Sequence, residues 1–187
     1  MEIDETPIPS VLLIRPKRRF DSRGYFVETF RADHFAALVG SDLFVQDNQS
    51  LSREAGTVRG LHFQMPPRAQ GKLVSCVVGS VWDVAVDIRR GSPTYGSFVA
   101  AELSEENGYQ LWIPQGFAHG FCTLEPDTVI SYKVTDYHSP EHDRGLLWND
   151  PALEINWPVS PSTAVLSDKD RTQPKFADLH TTFTYEF

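Results

Sequence analysis

The stretch "GYQLWIPQGFAHGF", residues 108–121, reads as strand, turn, strand. Gly108 and Gly116 allow tight turns at either end of the short apolar run Tyr109–Ile113, and Pro114 shapes the return. The next run, Phe117–Leu124, then carries His119 on its inward face. A related spacing stands upstream in "GTVRGLHF", where five residues separate Gly56 from His62. Two strands that each turn one imidazole inward bring chemistry to the inside of a sheet.

The surrounding sequence is also strand-like. In "VWDVAVDI", residues 81–88, Trp82, Val84, Val86 and Ile88 alternate with Val81, Asp83, Ala85 and Asp87, a period of two. Strand signals recur at Val11–Arg15, Tyr25–Phe30, Leu43–Ser50, Thr57–Gln64, Lys72–Val78, Phe98–Leu103 and Thr128–Thr135. The turn segments "DSRG", "REAG", "RRGSPTYG", "SEENG" and "EPD" separate them. Before the C-terminal region one helix is expected, in "RADHFAALVG", with Asp33 as its cap and Gly40 as its stop. Many short strands with regular turns predict a sandwich or barrel. The last part of the chain, with "NDPALEINWPVSPS" and "SDKDRTQPKF", predicts loops and short helical turns packed on it.

With 187 residues the chain is long enough for one well-filled core and short for two. A net charge of −8 argues against a nucleic-acid backbone or an anionic membrane as the main partner. The basic run "RPKRRFDSR", residues 15–23, reads as a solvated strand edge, with Arg23 as the exception. Apolar runs such as "VLLI" are too short to span a bilayer, and "MEIDETPIPS" is acidic without an apolar signal region. Cys76 and Cys122 lie in apolar strand-like runs, as buried free thiols of a cytoplasmic protein would.

The Gly108–His119 pattern resembles the second motif of the cupins, small β-barrels of jelly-roll type. Many cupins bind a metal through two histidines and a glutamate of the first motif plus the second-motif histidine. Here His62 is followed by Phe63 and Gln64, and Lys72 stands near the glutamate position. An ammonium repels a divalent cation, and two imidazoles alone make a poor site. The resemblance therefore implies an all-β, cupin-type barrel with a few short helices and no metal or other cofactor. The whole of 1–187 is expected to be one domain: N-terminal strands or arm and one helix over 1–50, barrel core over 51–137, and C-terminal loops and short helices over 138–187.

A more specific resemblance rests on seven segments in order: "DSRGYFVETF", "FVQDNQSLS", "GTVRGLHFQMPPRAQGKLV", "VWDVAVDIRRGSPTYG", "IPQGFAHGF", "YKVTDYHSPEHDRGLLWNDPALEINWP" and "LSDKD". Together they are similar to the dTDP-4-dehydrorhamnose 3,5-epimerase family. That family acts on dTDP-4-dehydro-6-deoxy-glucose, inverting C3 and C5 through enolates without a metal. Such chemistry needs a base on one face of the sugar, a group to hold the enolate oxygen, and an acid on the other face. His62 suits the base, since an imidazole with its ordinary pKa of about 6.5 is largely neutral near pH 7. The resemblance gives it Asp168 as carboxylate partner, with Asp170 a near competitor that spacing does not separate. Lys72 is expected at the C4 oxygen. Tyr132, on one face with Ile130 and Val134, is the expected acid.

For substrate binding the resemblance assigns Arg23 and Arg59 to phosphate, and arginine suits bidentate phosphate recognition. Strict alternation sets Arg59 opposite His62, unless Gly60 marks a bulge that brings both inward. Phe26, Glu28, Gln46, Asp47 and Asn48 match nucleoside-contacting segments, and His119, Asp143 and Lys169 match further substrate contacts. After "TDY" the family usually has an aromatic residue that stacks on thymine. Here His138 stands there, with Tyr137 beside it as a possible substitute. The resemblance also implies a homodimer with exchanged N-terminal segments. The alternatives are a C3-only or C5-only epimerase of another deoxysugar, or a sugar-nucleotide-binding cupin without turnover.

Overall fold

A computed structural model describes residues 2–40 and 43–185. In chain order the strands are β1 (Glu2–Glu5), β2 (Leu12–Arg15), β3 (Arg19–Asp21), β4 (Gly24–Phe26), β5 (Gln46–Ser52), β6 (Val58–Gln64), β7 (Lys72–Val78), β8 (Ser80–Asp87), β9 (Phe98–Ser104), β10 (Gln110–Ile113), β11 (Phe117–Thr123), β12 (Thr128–Val134) and β13 (Asp143–Gly145). Helix α1 (Ala32–Val39) lies between β4 and β5, and α2 (Asp168–Arg171) near the end. Single 3-10 turns occupy Pro151–Leu153 and Phe176–Asp178.

Two antiparallel sheets face each other, one in the order β1-β2-β10-β7-β12-β5 and the other β13-β6-β11-β8-β9. This is the expected jelly-roll sandwich. Val74, Cys76, Leu111, Ile113 and Ile130 of the first sheet meet Val81, Ala85, Leu103, Phe117 and Phe121 of the second. The second sheet is buried on its outer face too. There Leu61, Phe63, Val84, Val86 and Ile88 pack under Leu146, Leu153 and Leu179 of the C-terminal segment. Every residue of β11 is therefore buried, and its sequence shows no alternation of apolar and polar residues, as expected of a strand covered on both faces.

Three of these strands leave little trace in the sequence. β1 is the acidic "EIDE" and exists by pairing with β2. β3 closes a small hairpin with β4, and β13 is three residues pairing with His62–Gln64. The expected strand Tyr25–Phe30 shrinks to β4. The helix is where it was expected, but its cap differs: Arg31 takes the N-cap position without a side-chain cap bond. Asp33 lies inside the first turn and receives Arg31 Nε and Nη2 at 2.8 and 2.9 Å. What holds α1 is packing: Phe35 meets Trp112 and Phe44, each at a ring distance of 5.1 Å.

Candidate active site

β6 and β11 are neighbours, and His62 pairs with His119 in register. Two residues further along β11, Phe121 faces Arg59, three residues back along β6, so β6 carries one extra residue. This is a β-bulge at Gly60. Its φ is +136°, and a Cβ there would stand 2.5 Å from the Gly120 Cα, so only glycine allows this approach. The bulge turns Arg59 to the same side as His62, as the glycine suggested.

Both residues open into a cavity of about 440 Å³ between the sheets, whose walls also include Lys72, His119, Phe121, Tyr132 and Asp170. A second cavity of about 250 Å³ continues past His62, Lys72 and Tyr132 to Gln46, Asn48, His138, Asp143 and Lys169. The three shared residues stand at the waist of one cleft. His62 belongs to one sheet, while Lys72 on β7 and Tyr132 on β12 belong to the other.

The carboxylate expected at Asp168 is at Asp170. His62 Nε2 lies 2.5 Å from Asp170 Oδ1, and Ser167 Oγ donates to Oδ2 at 2.9 Å. Asp168 is exposed. The reason is the short turn α2, capped by the Ser167 side chain, which accepts from the Asp170 backbone N–H. In so short a helix residues two apart face different ways, and only Asp170 is turned to β6. Burial works to raise its pKa, but hydrogen bonds from His62, Ser167 and the Gly60 backbone hold it below the ordinary carboxylate value. With Nε2–H donated to Asp170, the His62 lone pair is on Nδ1.

Lys72 is buried, and its Nζ donates to the His62 carbonyl at 3.3 Å across the gap between the sheets. Burial lowers its pKa to about 8, against the attraction of Asp83 and Asp143. Burial raises the Tyr132 hydroxyl, opposed by the Arg59 charge. Arg59 itself donates to Ser52 Oγ at 3.1 Å and to the Leu51 carbonyl at 3.0 Å. His119 is buried, its Nε2 lying 2.9 and 3.1 Å from the oxygens of Asp83, and burial pushes its pKa down.

The remaining expected residues divide. Gln46 and Asn48 turn inward on β5 and bond to each other at 2.7 Å; the His138 N–H donates to Gln46 Oε1 at 3.0 Å. Asp143 and Lys169 form an ion pair at the cleft. His138 lines the cleft, and Tyr137 does not. Asp47 departs from expectation: alternation along β5 turns it outward, where Lys133 Nζ donates to it at 2.8 and 3.0 Å. Arg23, Phe26 and Glu28 lie outside the cleft of their own chain. Arg23 is exposed and pairs with Asp21, and Phe26 and Glu28 line a separate hollow with Lys17, Arg19 and His34. At the cupin ligand position, Gln64 Nε2 donates to the Arg68 and Tyr137 carbonyls. Asp83 was not among the expected site residues. Its signal was a carboxylate in the middle of the apolar run Val81–Val86 of β8.

Comparison with known proteins bears on the ancestry of the chain. The model of the dTDP-4-dehydrorhamnose 3,5-epimerase family matches residues 5–178. The dTDP-4-dehydrorhamnose 3,5-epimerase of Sinorhizobium fredii is 59% identical over 185 residues, 99% of this chain and 94% of that protein. The crystal structure of dTDP-6-deoxy-D-glucose-3,5-epimerase from Legionella pneumophila, in complex with dTDP-4-keto-L-rhamnose, superposes with a TM-score of 0.94 at 44% identity, covering 100% of this chain and 99% of that one. A 3′-monoepimerase from Streptomyces bikiniensis in complex with dTDP-quinovose follows at 0.86 and 30%, covering 92% and 87%. A match of this extent in sequence and fold leaves one reading of the ancestry: the chain belongs to the dTDP-4-dehydrorhamnose 3,5-epimerase family.

Proposed function

We propose that this protein is a dTDP-4-dehydrorhamnose 3,5-epimerase, inverting C3 and C5 of dTDP-4-dehydro-6-deoxy-glucose. The observation that carries the mechanism is the placement of His62 and Tyr132 on opposite sheets, with Lys72 lining the same cleft. A hydrogen on carbon beside the C4 ketone is removed by His62 Nδ1. The imidazolium that forms lies against Asp170, which stabilises it. The electron pair moves to the C4 oxygen, where Lys72 meets the developing charge; such a donor is typically worth about 3–4 kcal/mol of barrier. Tyr132 returns a proton to the opposite face, and the nearby Arg59 charge favours the tyrosinate left behind. Solvent then resets both groups, and the cycle repeats at the second carbon.

Incubation with dTDP-4-dehydro-6-deoxy-glucose in D₂O, followed by NMR, tests this. Deuterium is expected at both C3 and C5 of the product. Label at one position alone would make the protein a mono-epimerase, as its likeness to the Streptomyces bikiniensis enzyme allows; label at neither would leave a binding protein.

The working unit is proposed to be a homodimer. Phe20 and Tyr25 are 74% and 51% exposed on one face of a small hairpin and Phe26 is 69% exposed on the other, apolar surface that a second chain would cover. Arg23, Phe26 and Glu28 would then complete the neighbour's cleft. Mixing Arg23→Ala with His62→Ala subunits is expected to restore part of the activity that each homodimer lacks, because one site of the heterodimer carries neither lesion. No recovery after confirmed subunit exchange would return the arm to its own chain's site. Residence in the cytoplasm completes the proposal, supported by the two free, buried thiols Cys76 and Cys122. Among the described residues no helix is long and apolar enough to cross a membrane.

A further inference from the structure

β8 carries two carboxylates on one face, Asp83 and Asp87, and both are fully buried. Asp87 is answered locally: Arg89 donates to its two oxygens at 2.9 and 2.7 Å, and Ser92 and Thr94 add hydroxyl donors at 2.6 and 2.7 Å. Asp83 is not. Among the described residues its side chain hydrogen-bonds to the His119 ring alone. Burial keeps that ring neutral near pH 7, so it donates Nε2–H without cancelling the charge. A buried carboxylate with no cation is costly.

A cation on the facing sheet is attracted to it: Lys72 of β7. Lys72 is itself buried and lines the same cavity as His119. The charged and titratable groups that share its cleft are Arg59 and His62 on β6, His119 on β11, Tyr132 on β12, His138, Asp143 on β13, and Lys169 and Asp170 on α2, with Asp83 acting from β8. Asp170 is bonded to His62 and Ser167; of the two carboxylates that attract Lys72, Asp143 is already paired with Lys169. Asp83 has no such competitor, and its pull on Lys72 is the larger.

We propose that Asp83 is a positioning residue of this site: it supplies the buried counter-charge that keeps the Lys72 ammonium protonated inside the cleft, and it holds His119 in the tautomer with Nδ1 unprotonated. The inference deepens the role given to Lys72 above and rests on it for its consequence in turnover, though not for the charge pairing itself.

The test separates the two. In protein labelled with lysine carrying ¹³C at Cε, the Lys72 signal is identified by its loss in Lys72→Arg and followed against pH. The wild-type midpoint is expected near 8. In Asp83→Asn, which keeps the shape and removes the charge, it should fall by about one pH unit or more. The alkaline limb of turnover should move down with it, while KM changes by less than about threefold, because Asp83 does not line the cleft. An unmoved lysine midpoint overturns the proposal, whatever happens to activity. A midpoint that falls while the alkaline limb of turnover stays in place upholds the pairing and removes Lys72 from the enolate. A merely structural Asp83 would lower the melting temperature and leave both pH midpoints alone. Should Asp83→Asn fail to fold, Asp83→Ser asks the same question with a smaller neutral side chain.

Discussion

His62→Asn is expected to lower turnover by about 10²–10⁴-fold, the range that one positioned base supplies, and to leave the melting temperature near that of the wild type. The first expectation follows from the ring's place at the waist of the cleft, opposite Tyr132. The second follows from Asp170. Removing its partner takes one donor from a buried carboxylate, but Asp170 keeps Ser167 and the Gly60 N–H as donors, and the Asn amide offers another. Asp170→Asn should also cost turnover heavily, about 10²-fold or more, since an amide at that position favours the wrong imidazole tautomer. Asp168→Asn should be close to wild type, because Asp168 is exposed. Steady-state kinetics on the three variants decides the matter. A damaged Asp168→Asn beside a healthy Asp170→Asn would place the partner of His62 on the other side of α2.

That pair of aspartates shows where reading a sequence stops. In "SDKD" both carboxylates have equal claim, and the choice is made when a one-turn helix docks its Ser167-capped end on β6. The bulge was readable because glycine between Arg59 and His62 left few other ways for both to face one cleft. The strands from β5 to β12 were readable because alternation and turn residues agree along them. β1 and β13 were not, because an acidic tetrapeptide and "DRG" become strands by pairing with neighbours already in place. Asp83 was passed over for a different reason. Alternation suggests that the polar members of a strand face water, but both faces of this sheet are covered. A carboxylate in such a strand has to find a partner inside. Arg23, Phe26 and Glu28 could be matched to a family pattern, yet their own chain leaves them outside the cleft, so their role depends on a second subunit.

Lys72→Met is expected to make the protein more stable and nearly inactive. In the folded chain burial lowers the Lys72 pKa from 10.5 to about 8, so the folded state holds this proton less tightly than the unfolded state. Below pH 8 both states are protonated, and the ammonium costs the fold about 3 kcal/mol, the difference between 10.5 and about 8 expressed as free energy. The attraction of Asp83 is already contained in that difference and offsets only part of the burial. Between pH 8 and 10.5 the folded lysine releases its proton first, the unfolded chain binds more protons, and wild-type stability rises through that window. Methionine has similar length and no charge to bury. At pH 7 the variant should therefore gain about 2–3 kcal/mol in urea unfolding, and the gap should close as pH rises towards 10.5. Turnover should fall by about 10²–10³-fold, as when one donor to a developing oxyanion is removed. A variant less stable than the wild type at pH 7, or a gap that persists at high pH, would mean that the lysine is not buried as a charge. A variant both stabilised and fully active would mean that the burial serves no step of the reaction. The cleft holds an ammonium that the fold would be better without, and an enolate at the C4 oxygen is the species that gives it a use.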